Sequence, residues 1–135
     1  MEMKMNIFLT LAETSEQAME FYTTVFPQTK IEKIDRYPKG MPYTPDSMVG
    51  KVLHGVLNLQ GNEIYFMDMD KQQAPETSWA SSLYLDLTSE AEFDDIFKKL
   101  ADKGNVMMGP EAVGDLRKVA WVVDRFGITW QLIWA

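Results

Sequence analysis

The sequence contains no cysteine, which excludes a disulfide framework, a thiol nucleophile and any thiolate metal site. It has a single histidine, His54, so one chain by itself cannot build an iron site of two histidines and one carboxylate, nor a zinc or nickel site of two histidines and two glutamates. Basic residues are sparse: 13 Lys and Arg stand against 20 Asp and Glu, a formal net charge of −7, and no basic run is longer than Lys98-Lys99. Such a surface repels phosphate backbones, so no nucleic-acid partner is expected; solubility accounts for the acidity. Long apolar runs are missing too. Polar or charged residues interrupt every stretch before it spans a bilayer, and the apolar part of MEMKMNIFLTLAE is too short for a signal peptide. The expectation is a soluble cytoplasmic protein with no membrane partner.

What is present is the composition of an ordinary globular protein, 46% apolar and 24% charged, in 135 residues that form one domain. Its organising stretch is the last one, RKVAWVVDRFGITWQLIWA. Val119–Val123 and Ile128–Trp134 read as two strands about an Asp124-Arg125-Phe126-Gly127 turn, with Gly127 supplying a positive φ. Alternation sets Ile128, Trp130, Leu132 and Trp134 on one face and Thr129, Gln131 and Ile133 on the other. Helices are expected behind the first face and a cavity in front of the second.

The remainder repeats one unit. A strand over Met5–Ala12 leads to Thr14-Ser15-Glu16-Gln17, a helix start in which Thr14 caps and Gln17 reaches back, then to an apolar stripe of Ala18, Phe21, Tyr22 and Val25 that Pro27 stops. Residues 29–37 form a strand. Pro38–Gly50 has no period and is a loop, either a lid carrying Met41 and Tyr43 or a plain excursion. Val52–Leu59 and Ile64–Met69 make a hairpin. After a polar break over residues 71–78 the order recurs: a strand over Ser82–Leu87, a helix capped by Ser89 with Glu92, the stripe Phe93, Ile96, Phe97 and Leu100, closure at Gly104, a short strand over Val106–Met108, and the final hairpin. The chain is βαβββ twice, with module one at residues 1–70 and module two at 79–135. The expected fold is α+β, its curved mixed sheets pairing around a cup.

Four stretches in this order resemble a known superfamily: Ala18-Met19-Glu20-Phe21-Tyr22, Val52-Leu53-His54-Gly55, Ile64-Tyr65-Phe66-Met67-Asp68, and the closing run from Trp121 through Asp124-Arg125-Phe126-Gly127 to Gln131. They are similar to the PhnB-like branch of the vicinal oxygen chelate superfamily, which includes glyoxalase I, extradiol dioxygenases and bleomycin-resistance proteins. That branch is often labelled a 3-demethylubiquinone-9 3-methyltransferase domain. The resemblance implies the paired-module fold and a homodimer. In metal-dependent members the ligands are His and Glu on the first and last strands; projected here they fall near Ile7, Met67, Ser82 and Gln131. None is a strong ligand, so no metal and no other cofactor is expected, and no glycine-rich strand-to-helix turn holds S-adenosylmethionine.

Five residues are the candidate ligand contacts: His54, Gln131, Asn58, Tyr65 and Trp121. His54 shares a strand face with Val56 and Asn58; it is either a proton-exchanging group in the cavity or a histidine satisfied within the sheet or at a subunit contact. Gln131 orients a polar ligand or bonds across strands. Tyr65, Trp121 and Trp130 read first as core, with Trp121 a candidate aromatic wall. Asp68 and Asp124 read as turn formers. The leading expectation is a protein that binds a small organic molecule, with no catalytic residue assigned. A metal-dependent lyase, isomerase or dioxygenase of the glyoxalase type and a non-catalytic dimeric interaction module are the alternatives.

Overall fold

The computed structural model describes residues 2–135 as two compact units that divide between Glu76 and Thr77. Each has the same order, and each is described by itself. In the first, β1 (Ile7–Ala12), α1 (Ser15–Val25), β2 (Thr29–Arg36), β3 (Val52–Leu59) and β4 (Asn62–Met69) give a mixed sheet of spatial order β1-β4-β3-β2. The second repeats it with β5 (Leu83–Leu87), α2 (Glu90–Ala101), β6 (Asn105–Val113), β7 (Leu116–Val123) and β8 (Thr129–Trp134), ordered β5-β8-β7-β6. In both units the first and last strands pair in parallel while the other neighbours are antiparallel. The doubled βαβββ pattern expected from the sequence is the observed one.

The helices form where their apolar stripes meet a sheet. Ala18, Met19, Tyr22 and Val25 of α1 are buried, and the Tyr22 ring lies 6.2 Å from that of Phe66 on β4. Phe93, Ile96 and Leu100 of α2 are buried in the same manner. Strand alternation then fixes what remains on the opposite faces. Ile64, Phe66 and Asp68 are buried on β4 while Glu63, Tyr65 and Met67 are half-exposed between them.

Five local expectations are corrected or decided. Ser89 caps α2 as anticipated, its side chain accepting from the Glu92 N–H at 3.1 Å, but Thr14 makes no cap bond to α1. Asp68 takes that role from the end of β4: Oδ1 accepts from the Ser15 N–H at 2.8 Å and Oδ2 from the Val52 N–H at 3.0 Å. The backbone oxygen of Asp68 also accepts from the Tyr37 hydroxyl at 2.8 Å. Asp68 is therefore a buried anchor, not a turn former.

Gly104 does not close α2 through a left-handed conformation; Lys103 does, with φ 59°. Glycine is needed at 104 for space, because a Cβ there would lie 2.5 Å from the carbonyl oxygen of Val123 and 2.8 Å from that of Leu100. β6 extends well beyond Met108, continuing to Val113 through irregular registers around Gly109-Pro110. The loop over residues 38–50 is pinned by a 3₁₀ turn at Asp46–Met48, with Met48 only 1% exposed, whereas Tyr43 points fully into solvent and covers nothing.

Candidate functional site

The sheet faces opposite the two helices carry the candidate contacts. In the first unit, β1 and β4 place Phe8 beside Tyr65, and β3 places Val56 across from Tyr65, so that His54 projects on the same face. Three rings gather there: His54 meets Tyr65 nearly edge-on with centroids 5.0 Å apart, and Phe8 lies 6.2 Å from His54 and 6.5 Å from Tyr65. Among the described residues the His54 imidazole makes no hydrogen bond, and Phe8 and Tyr65 are its ring neighbours. An imidazole so placed is free to exchange a hydrogen bond or a proton with a bound molecule.

Asn58 lies outside this group in its bonding. Its amide donates to Glu32 at 2.9 Å and its oxygen accepts from the Gly61 N–H at 2.7 Å, which commits it to shaping the β3–β4 turn. It borders a shallow cleft of about 340 Å³ with Lys4, Asn6 and Glu63, where Lys4 and Glu63 are paired at 2.7 Å. A second cleft, about 220 Å³, opens beside α1 between Glu13, Glu16, Lys51 and Asp68. There Arg36 grips Glu16 with two hydrogen bonds of 2.8 Å, which hold the Glu16 carboxyl below the usual range and the guanidinium above it. Neither cleft is lined by Phe8, His54 or Tyr65.

In the second unit Gln131 pairs across β7 with Trp121 and across β5 with Tyr84. Its amide donates to the Ser82 hydroxyl at 2.8 Å. Trp121 is half-buried, with its indole N–H buried and lacking any acceptor. A buried donor left without a partner costs about 1–3 kcal/mol. Trp79, a residue the sequence reading passed over, meets Trp121 edge-to-face with centroids 5.5 Å apart. The signal was available: Trp79 is the single large apolar residue in an otherwise polar connecting stretch. Behind the sheet, Trp130 is fully buried and donates to Asp124 Oδ2 at 2.8 Å, while Asp124 Oδ1 accepts from the N–H groups of Phe126 and Ile128. Trp130 belongs to the core, as expected, and Asp124 shapes its turn and anchors that core together.

The same strand order in both sheets leads to comparison with known proteins. The family model described as 3-demethylubiquinone-9 3-methyltransferase matches residues 3–133. A PhnB protein from Bacillus cereus is 33% identical, with 98% of this chain and 100% of that one covered, and superposes with a TM-score of 0.86. The chain belongs to this PhnB-like family. PA1353 from Pseudomonas aeruginosa shares its fold at 20% identity over 98% of each chain, with a TM-score of 0.85. The fosfomycin resistance protein FosX from Listeria monocytogenes has the same glyoxalase-type fold at 13% identity, covering 98% of this chain and 93% of that one, with a TM-score of 0.68. No curated protein matches the sequence.

Membership does not carry the family's label into chemistry here. Neither strand-to-helix turn, Glu13-Thr14 or Thr88-Ser89, contains a glycine that would let a nucleotide approach the backbone, so the turns do not fit the usual S-adenosylmethionine cradle. A FosX structure holds Mn(II). In the present chain, among the described residues, no three His, Asp or Glu side chains come together around a common point. The projected ligand positions hold Ile7, Met67, Ser82 and Gln131, a donor set too weak for a divalent ion. No helix among the described residues is long and apolar enough to cross a membrane.

Proposed function

We propose that this PhnB-like protein binds a small organic molecule on the sheet faces opposite its helices, as a cytoplasmic homodimer and without a catalytic metal. The carrying observation is the gathering of partly exposed polar and aromatic groups on these faces, Gln131 paired with Trp121 in the second unit and His54 with Tyr65 and Phe8 in the first. Gln131 supplies one polar contact, and His54 supplies another. Asn58 serves at the border by holding the β3–β4 turn. Pairing of two copies is supported by Phe8 and Tyr84, exposed by 51% and 55% on strands that form the outer edges of their sheets.

A fragment screen by ligand-observed NMR tests this directly. Hits are expected to lose affinity in His54→Ala and in Gln131→Ala while both variants keep the wild-type fold. Unchanged binding of the same hits in both variants removes these residues from the site. Metal-dependent isomerisation or dioxygenation by the same chain requires a stoichiometric divalent ion, and elemental analysis of the purified protein checks for one.

A further inference from the structure

Register places three side chains in a row across the second sheet. Tyr84 on β5 lies opposite Gln131 on β8, which lies opposite Trp121 on β7, so all three share one face. Neighbouring strands stand about 4.8 Å apart, which puts the backbones of Tyr84 and Trp121 about 10 Å from one another with Gln131 between them. Trp79 extends the Trp121 side, meeting that ring edge-to-face with centroids 5.5 Å apart. The outer surfaces are open: Tyr84 is 55% and Trp79 56% exposed, and Gln131 is half-buried. An amide floor thus has an aromatic wall on either side, and solvent reaches floor and walls alike.

The uncommitted polar groups of this row and its border are acceptors. Gln131 donates its amide N–H to the Ser82 hydroxyl at 2.8 Å, and its carbonyl oxygen has no partner among the described residues. That oxygen is not sealed: the buried, unpaired side-chain atoms of this unit are Trp121 Nε1 and Thr129 Oγ1. Two residues along β5 from Tyr84, and therefore on the same face, Asp86 is exposed and forms no ion pair among the described residues. Arg117, a cation near the start of β7, is committed to the Ala135 carbonyl at 2.7 Å and to the Trp134 ring at 3.8 Å. An open carbonyl, a free carboxylate and exposed ring faces, on a chain of net charge −7, attract a cation that carries a donor.

We propose that this face binds a protonated organic amine, whose ammonium N–H donates to Gln131 Oε1 and whose apolar body packs between Tyr84 and Trp79, with Asp86 at the border. This rests on the reading that the face binds a small organic molecule, and adds the ligand class and the residues that select it. The charge is met by the Asp86 carboxylate and by the ring faces. A carboxylate ligand meets Asp86 with like charge, and a neutral alcohol gains neither the ion pair nor the cation–π contact.

The probe is benzylamine, protonated at neutral pH. Benzyl alcohol keeps the ring and a donor without the charge, benzyltrimethylammonium keeps the charge without an N–H, and benzoate reverses the charge. Titrations at neutral pH follow the Trp79 indole and Gln131 amide signals of the ¹⁵N-labelled protein, assigned with Trp79→Phe and Gln131→Ala. Benzylamine is expected to move both signals and to bind about tenfold tighter than benzyl alcohol, with benzyltrimethylammonium between them and benzoate weakest. Trp79→Leu and Tyr84→Leu are each expected to weaken benzylamine about three- to fivefold, the scale of one exposed cation–π contact. Asp86→Asn, a change at an exposed position that keeps the side chain's shape, is expected to weaken benzylamine about threefold and to leave benzyl alcohol unchanged, so the charge is read independently of any packing defect. Equal affinity for benzyl alcohol and benzylamine, or tighter binding of benzoate, overturns the ligand class and leaves organic-molecule binding. Amine shifts confined to His54 and Tyr65 overturn its place. Silence of both faces toward all four probes and toward a fragment library removes both proposals.

Discussion

Asp68, the last buried residue on β4, takes the N-terminal N–H of α1 through its bond to Ser15 at 2.8 Å, across 53 positions of sequence. The same carboxylate reaches the Val52 N–H, so one side chain ties a helix start, a strand start and its own strand together. A buried carboxylate with two backbone donors contributes more than a neutral cap, because each bond is charge-assisted. Asp68→Ala is expected to cost about 3 kcal/mol, read as a lowered urea midpoint, since it leaves two buried N–H groups unsatisfied. Thr14→Ala, by contrast, is expected to change stability little, because Thr14 makes no cap bond.

Tyr37 makes stability fall at alkaline pH. Burial, and secondarily the nearby Asp68 charge, raises its hydroxyl above the ordinary 10.0. The folded state therefore favours the neutral phenol, and its contribution is complete below pH 10.0 and lost as pH climbs through the raised folded value. Urea titrations from pH 9 to about 11.5 are expected to show this decline, and Tyr37→Phe to flatten it. The variant also loses the bond to the Asp68 carbonyl, a further cost of about 1 kcal/mol at neutral pH.

Gly104→Ala reverses the usual sign. At a compatible position, replacing glycine by alanine stabilises by roughly 0.4–1 kcal/mol through the unfolded state. Here the added Cβ would lie 2.5 Å from the Val123 carbonyl oxygen and 2.8 Å from that of Leu100, both backbone atoms that cannot rotate away. A net loss of about 1–3 kcal/mol is expected on thermal or chemical unfolding, the ordinary scale of an overpacked contact.

Asp124→Asn probes the anchor behind the second sheet. Its Oδ1 position still accepts from Phe126 and Ile128, but an amide nitrogen at the other position confronts the Trp130 N–H with a second donor. A cost of about 2 kcal/mol is expected from that mismatch. Trp130→Phe in the same background is expected to recover part of it, and a double-mutant cycle measures the coupling.

The repeat, both helices and most strands were legible because they follow from periodicity and caps within a few residues. Ser89 with Glu92 and the Asp124–Gly127 turn are of that kind. What escaped the sequence depended on distant chain: the α1 cap comes from Asp68, the glycine requirement at 104 from Val123, and the continuation of β6 past Gly109-Pro110 from pairing with β7. The candidate site was legible in part. Alternation put His54 and Gln131 on the faces opposite the helices, but the closing of Asn58 onto Glu32 and Gly61, and the seat of Trp79 on Trp121, arise only when the turn and the connecting segment fold back.

The most direct test of the account is native mass spectrometry of the protein as purified from cells, followed by the same spectrum under denaturing solvent. The account predicts a dimer whose retained mass beyond the polypeptide is an organic adduct, released on denaturation and diminished in Gln131→Ala. A dimer carrying one divalent ion per chain, unchanged in Gln131→Ala, would contradict it and redirect attention to glyoxalase-type metal chemistry.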